Sequence, residues 1–290
     1  MKPIQIKNDL HIALPDYFDL EQIFTCGQNF RFDRKSDGNY CGVALGQVLR
    51  LKQQDNTLIL YDTDEKAFEE IWMSYFALDI DYGTLRKQLD TDPPMRRALA
   101  YGYGIRILKQ DLWEMIVTFL ISQNNNIPRI KKIVTALCTA FGSPIVTEQE
   151  ILYTFPTPRQ LAFVTEIEFQ SIGLGYRASY LIDAVQTVSG DDLFLGQLVS
   201  LTTCEAREKL MRIKGIGGKV ADCILLFAMA RYEVCPHDVW VKRIFENTYG
   251  ITGITEKKGY ALAEEKWGEY AGIAQQFLFH YERHRTDTNG

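Results

Sequence analysis

The segment Ile213-Lys214-Gly215-Ile216-Gly217-Gly218-Lys219-Val220-Ala221-Asp222-Cys223, with Pro236-His237-Asp238 after it, holds the residue types from which a nucleophilic site can be built. Gly215 and Gly217, on either side of Ile216, permit a hairpin whose backbone N–H groups face a phosphate. Glycine supplies the tight dihedrals and leaves no side chain in the way. Lys219 stands where a helix should start, and Asp238 follows 19 residues later. Hairpin, amine and carboxylate together point to a chain that grips a nucleic-acid backbone and attacks a carbon with nitrogen.

The elements that must hold these groups are legible in the hydrophobic pattern. Residues 1 to about 62 read as strands, with Val48–Lys52 and Thr57–Tyr61 alternating on either side of the polar turn Gln53–Asn56. Beyond about residue 66 the spacing turns helical. Asp111 is an expected N-cap with Glu114 three residues on, resembling a capping box, and Leu112, Met115, Ile116, Phe119 and Leu120 mark one apolar face. Further helices are expected at 129–141, 158–165, 177–189, 204–212, 219–231, 238–248 and 257–282. The fold class is α+β, an N-terminal antiparallel β lobe followed by an α-helical body. We expect a sheet domain with helices over 1–108, a helical domain over 109–282 with its hairpin at about 204–231, and a loose tail over 283–290.

Composition narrows the class of protein. At 290 residues and 46% hydrophobic content the chain can bury a full core. It has no long apolar run and no signal-peptide pattern at its start, so no membrane association is expected and the localisation should be intracellular, cytoplasmic or nucleoid-associated. The six cysteines are dispersed, with no Cys-x-x-Cys pair, which favours free thiols over a disulfide frame or a zinc site. A net charge of −5 argues against a nucleic-acid partner, but nine carboxylates fall within residues 61–95. Arg129, Lys131 and Lys132 cluster beside an Asn triplet, and Arg207, Lys209, Arg212, Lys214 and Lys219 surround the hairpin. The field of one face decides binding, and an acidic total predicts weak non-specific affinity with strong salt sensitivity.

The hairpin string resembles that of the helix–hairpin–helix DNA glycosylases, most closely the 8-oxoguanine DNA glycosylases. Four further blocks are similar and stand in the family's order: Cys26-Gly27-Gln28-Asn29-Phe30-Arg31, Ser122-Gln123-Asn124-Asn125-Asn126-Ile127, Gly173-Leu174-Gly175-Tyr176-Arg177-Ala178 and Trp267-Gly268-Glu269-Tyr270-Ala271-Gly272-Ile273-Ala274-Gln275. The hairpin alone occurs in many DNA-binding proteins; five ordered blocks spanning residues 26–275 are far more specific. The resemblance implies a monomer acting on double-stranded DNA that contains 8-oxoguanine. No cofactor is required, and no iron–sulfur cluster can be built because no cysteine follows Cys235. Hairpins of this type often hold a structural cation through main-chain carbonyls, here those of Met211, Ile213 and Ile216.

By the same resemblance, Lys219 attacks the sugar C1′, displaces the base and forms a Schiff base able to drive β-elimination. Its plain reading is a lysine that binds phosphate. A lysine pKa near ~10.4 leaves almost no free amine at neutral pH, so burial, cationic neighbours or a helix N-terminus must lower it. Asp238 is by plain reading a helix N-cap and by resemblance the carboxylate that opposes developing positive charge; the two are compatible. Gly27 would offer its carbonyl to the N7 proton that distinguishes 8-oxoguanine from guanine, although as an isolated residue it is a turn glycine. Phe279 and Cys223 would sandwich the flipped base and Gln275 would bond its pyrimidine edge, while helical core packing is the plain reading of the first two. Asn124, Arg129, Tyr176 and Arg177 would fill the gap and bond the estranged cytosine. Two positions depart from the pattern: Lys214 replaces a common proline, which should loosen the hairpin, and Trp240 replaces a histidine near the 5′ phosphate.

Two other functions stay open on sequence grounds. A monofunctional alkyl-purine glycosylase would use water and usually lacks a lysine at position 219. A non-catalytic DNA-binding module would need neither Lys219 with Asp238 nor the blocks around Gly27 and Gln275.

Overall fold

The computed structural model describes residues 3–237 and 239–287. Six antiparallel strands form the N-terminal sheet: β1 (Ile4–Ile6), β2 (Asp9–Ala13), β3 (Phe32–Arg34), β4 (Tyr40–Ala44), β5 (Gln47–Gln54) and β6 (Thr57–Tyr61), in the order β1-β2-β6-β5-β4-β3. The expected hairpin is β5–β6, with Leu51 opposite Leu60 and Gln54 opposite Thr57. The turn shrinks to Asp55-Asn56, where Asp55 takes a left-handed φ of 50° suited to a two-residue turn. Not all of residues 1–62 is strand, because Leu20–Thr25 forms a helix, α1, capped by the Asp19 side chain. Leu10, Ile12, Leu49, Leu51, Leu58 and Leu60 are buried against Phe24, Phe32, Phe68, Trp72 and Phe76. This alternation is what a sheet with one buried face requires.

A second core fills the helical body. It begins before residue 109: α2 (Tyr82–Leu89) and α3 (Pro93–Tyr101) contribute Leu85, Leu89, Met95 and Ala98 to it. Two helices at its centre are buried on nearly every side, α4 (Leu112–Ser122) and the hairpin's second helix. Arg106, 1% exposed, links the lobes by donating to the carbonyls of Asp16, Tyr17 and Ala77.

Beyond α4 run α5 (Ile127–Phe141), α6 (Ala178–Ser189), α7 (Thr203–Leu210), α8 (Gly218–Met229), α9 (Val239–Arg243), α10 (Glu256–Trp267) and α11 (Ala271–Asp287). Several expectations are corrected. The stretch 257–282 is two helices, broken at Gly268 with φ 50°. The stretch 158–165 is the short Pro158–Leu161, followed by a separate helix Glu166–Ser171 with its own Thr165 capping box. A small hairpin of Pro144–Val146 with Ile151–Tyr153 has no counterpart in the sequence reading. The expected tail is helical through Asp287. Asp238 and residues 288–290 lie outside the described residues.

Asp111 caps α4 through its Oδ1, which accepts the Glu114 N–H at 2.8 Å, but Glu114 does not complete a capping box. Its side chain turns inward, and burial pushes its carboxyl up from 4.5 to about 7 against the opposing pull of Arg31. Below about pH 4.5 the group is protonated whether or not the chain is folded. As pH rises through the window up to about 7 the unfolded chain ionises first, so stability falls. Glu114→Gln removes that loss. Its stability relative to the parent should rise by roughly 3 kcal/mol between about pH 4.5 and pH 8, read by urea unfolding at both pH values. A pH-independent difference would show that Glu114 ionises as readily inside as outside.

Candidate active site and nucleic-acid interface

The Gly27-Gln28-Asn29 block is built as a buried clamp. Gln28 donates to the carbonyls of Ile23 and Arg106, accepts from the Leu108 N–H, and offers its own carbonyl to Gln110. Asn29 donates to Tyr75 Oη and Gln110 Oε1. The Gln110 N–H in turn reaches the Phe227 carbonyl near the end of α8. A loop of the sheet lobe is thereby fixed to α8, whose second residue is Lys219. Gly27 sits in this loop at φ 92°, in the left-handed region that favours glycine.

The hairpin forms as its glycines predict. Gly215 has φ 88°, and a Cβ there would lie 2.5 Å from the Tyr180 ring. The Ile216 N–H donates to the Ile213 carbonyl at 3.0 Å. Lys214 does not loosen the turn. Its N–H, which proline would lack, donates to Asp183 Oδ2 at 2.7 Å. Gly217 is the N-cap of α8 without a side-chain cap, and nothing lies within 4 Å of where its Cβ would stand. The start of α8 is therefore open on the Gly217 side, while a Cβ at Gly218 would lie 3.2 Å from the Glu256 carboxylate.

A cavity of about 1050 Å³ opens at this point, and Lys219, Gly27, Phe279, Asn124, Gly217 and Trp240 all line it. The structure thus brings together residues separated by up to 252 positions (279 minus 27). Lys219 is half-buried at the second position of α8, with its Nζ 5.9 Å from the centroid of Phe119, which stacks on Phe227 at 5.5 Å. Trp240 meets Phe279 edge-on at 5.6 Å, so the position that departs from the family pattern is part of the cavity wall.

Other expected residues are placed less simply. Cys223 lies one turn beyond Lys219 on the same face of α8, and both Cys223 and Gln275 are buried without lining the cavity. Asn124, at φ 48°, donates to the Tyr176 hydroxyl at 3.1 Å, and Tyr176 is exposed. Arg129 is exposed at the start of α5, whose N-cap Asn126 accepts its N–H at 3.0 Å. Arg177, which the resemblance places at the estranged cytosine, has contacts within the chain. It is buried, stacks on Tyr176 and donates to the carbonyls of Gln123, Asn124 and Leu174. Those bonds make it a support for the Asn124 loop. The basic cluster is also thinner than the sequence implies, since Lys131 pairs with Asp33 and Arg207 with Asp222.

Asp222 is a residue that sequence reading passed over. It is fully buried one turn after Lys219, accepts from Tyr260 Oη at 2.5 Å and from Arg207, and burial raises its pKa against both donors. It ties α8 to α10 and α7. An aspartate inside an otherwise apolar helical string is the signal that could have revealed it, because a buried carboxylate needs partners. Among the described residues no group of His, Cys, Asp and Glu side chains could hold a metal ion, and no helix is long and apolar enough to cross a membrane.

The chain resembles known proteins along its length. The model of the 8-oxoguanine DNA glycosylase N-terminal domain matches residues 11–116, and that of the HhH-GPD superfamily base excision DNA repair protein matches residues 117–269. The solved 8-oxoguanine glycosylase/lyase of Clostridium acetobutylicum, in complex with double-stranded DNA containing cytosine opposite to 8-oxoG, superposes with a TM-score of 0.95. It is 36% identical, and the match covers 99% of each chain. The N-glycosylase/DNA lyase of Saccharomyces cerevisiae is 30% identical over 91% of this chain and 83% of its own. The N-glycosylase/DNA lyase OGG1 of Arabidopsis thaliana is 32% identical over 88% and 75%.

Proposed function

We infer the chemistry of the site from the premise that the chain belongs to the 8-oxoguanine DNA glycosylase/lyase family of the HhH-GPD superfamily. It is a bifunctional DNA repair enzyme that excises 8-oxoguanine from duplex DNA and cleaves the resulting abasic site. The observation that carries the reading is an amine at the open N-terminus of a buried helix, lining one cavity with a left-handed glycine and an aromatic ring.

We propose that Lys219 Nζ, as the free amine, attacks C1′. The N-glycosidic bond breaks and its electron pair leaves with the base. Positive charge grows on the sugar during this step, and Asp238 opposes it. Ring opening leaves an imine between Nζ and C1′, and loss of a C2′ proton then expels the 3′ phosphate. Gly217 and Gly215 let the hairpin backbone approach the DNA phosphates, and a cation on the carbonyls of Met211, Ile213 and Ile216 would stiffen that contact. Gly27 reads the N7 proton, and Phe279 with Cys223 sandwiches the base while Gln275 takes its pyrimidine edge. Asn124 and Tyr176, joined by their hydrogen bond, fill the vacated stack.

The test is borohydride trapping with a duplex carrying 8-oxoguanine opposite cytosine. A covalent protein–DNA adduct is expected, and its absence would overturn the imine mechanism. Opposite-base choice rests in this reading on Arg129, whose exposed guanidinium can donate to both O2 and N3 of cytosine. Arg129→Met should weaken cytosine-paired substrate roughly 5- to 100-fold more than adenine-paired substrate. Equal losses would assign Arg129 to backbone binding. Arg177→Met should cost both duplexes alike, because the loop that Arg177 supports serves both.

A further inference from the structure

We propose that Gln276 and Arg283 are positioning residues for base recognition, acting through the turn that carries Gly27. The proposal rests on the reading of Gly27 above. Gln276, buried on α11, donates from Nε2 to the Cys26 carbonyl at 2.7 Å. Arg283 donates from Nη2 to the Thr25 carbonyl, also at 2.7 Å. Positions 276, 279 and 283 are spaced by three and four, so they share one helix face. Phe279 stands between the two donors, and the Arg283 guanidinium carbon is 5.5 Å from its ring centroid. A Cβ at Gly27 would lie 3.3 Å from Arg283 Nη1 and 3.3 Å from Phe279 Cε1.

The consequence is mechanical. The two carbonyls that precede Gly27 are held by α11, and the residue that follows it, Gln28, is locked by its own buried bonds. Both flanks of Gly27 are thereby anchored, so the turn that carries it is held in place against α11. A left-handed glycine without such anchors would leave the turn free to shift. Because α11 also carries Phe279 and Gln275, the stacking ring, the edge reader and the N7 acceptor move as one body. Burial pushes the neighbouring Cys26 thiol up to about 11, so it stays neutral beside the Arg283 cation. Neither Gln276 nor Arg283 falls in a block that marks the family, and only their long-range carbonyl partners reveal them.

The experiment separates base recognition from the rest of the chemistry. A preformed abasic site has no base to recognise but still needs Lys219 and the hairpin. Gln276→Met and Arg283→Met are compared with the parent in single turnover on an 8-oxoguanine duplex and on an abasic duplex. Gln276→Met should lose at least about tenfold more activity on the lesion than on the abasic site, the effect of one unmet buried hydrogen bond, and Arg283→Met, whose bond to Thr25 is exposed, should show a smaller loss with the same selectivity. Arg283→Lys, which keeps the charge and a donor, should recover part of that selective loss. Equal losses on both substrates, or none, would overturn the inference. If Gln276→Met fails to fold, shown by thermal unfolding, Arg283→Met and Arg283→Lys decide the matter alone. A parent that traps on neither substrate would instead overturn the proposed function.

Discussion

Lys219→Gln is expected to abolish base release and borohydride trapping while damaged duplex is still bound. The glutamine amide is close in length to the lysine stem and suits the second position of α8, so the hairpin and its backbone contacts should survive. The amide nitrogen has no lone pair available for attack at C1′. Removing a nucleophile costs roughly 10⁴- to 10⁶-fold in turnover in enzymes that depend on one. Among the described residues that line the cavity, Lys219 carries the only primary amine. Single-turnover excision and gel-retardation binding are measured on the same duplex. Substantial trapping by the variant would show that a different amine performs the chemistry.

Gly27→Ala should reduce excision of 8-oxoguanine by about 10²-fold, the order of loss that an ångström-scale misplacement brings. Two effects combine. Alanine at φ 92° is strained, by roughly 1–2 kcal/mol. Its methyl would also press on Phe279, Arg283 and Ile127, at 3.3, 3.3 and 3.4 Å, all of which line the cavity. Gly253→Ala separates the two effects, because Gly253 is also left-handed, at φ 66°, yet nothing lies within 4 Å of its Cβ position. That control should lose stability without a matching loss of excision. An unchanged rate in Gly27→Ala would make Gly27 a turn residue only. A duplex with 8-oxo-7-deazaguanine, whose ring position 7 has only a weak C–H donor, should likewise bind less tightly than 8-oxoguanine if the N7 proton is what is read.

Features that depend on local spacing were legible along the chain. The β5–β6 hairpin followed from alternation, α4 from the Asp111 cap and its apolar periodicity, and Lys219 at a helix start from the glycines before it. The order of the five blocks carried the family and with it the fold. Tertiary structure alone decided which polar groups are available. Arg129 and Arg177 look equivalent along the chain, yet Arg177 is folded onto the carbonyls of residues 53 and 54 positions earlier, and Arg129 is left at the surface. Lys214 gained a partner in Asp183 that its replacement of proline did not foretell. Gln275 and Gln276 could not be told apart by spacing until Gln276 reached the Cys26 carbonyl, 250 residues away. Periodicity records which face of an element is apolar. The pairing of one donor with one distant acceptor leaves no such record, because any carbonyl in the chain can serve and only the packed core chooses which.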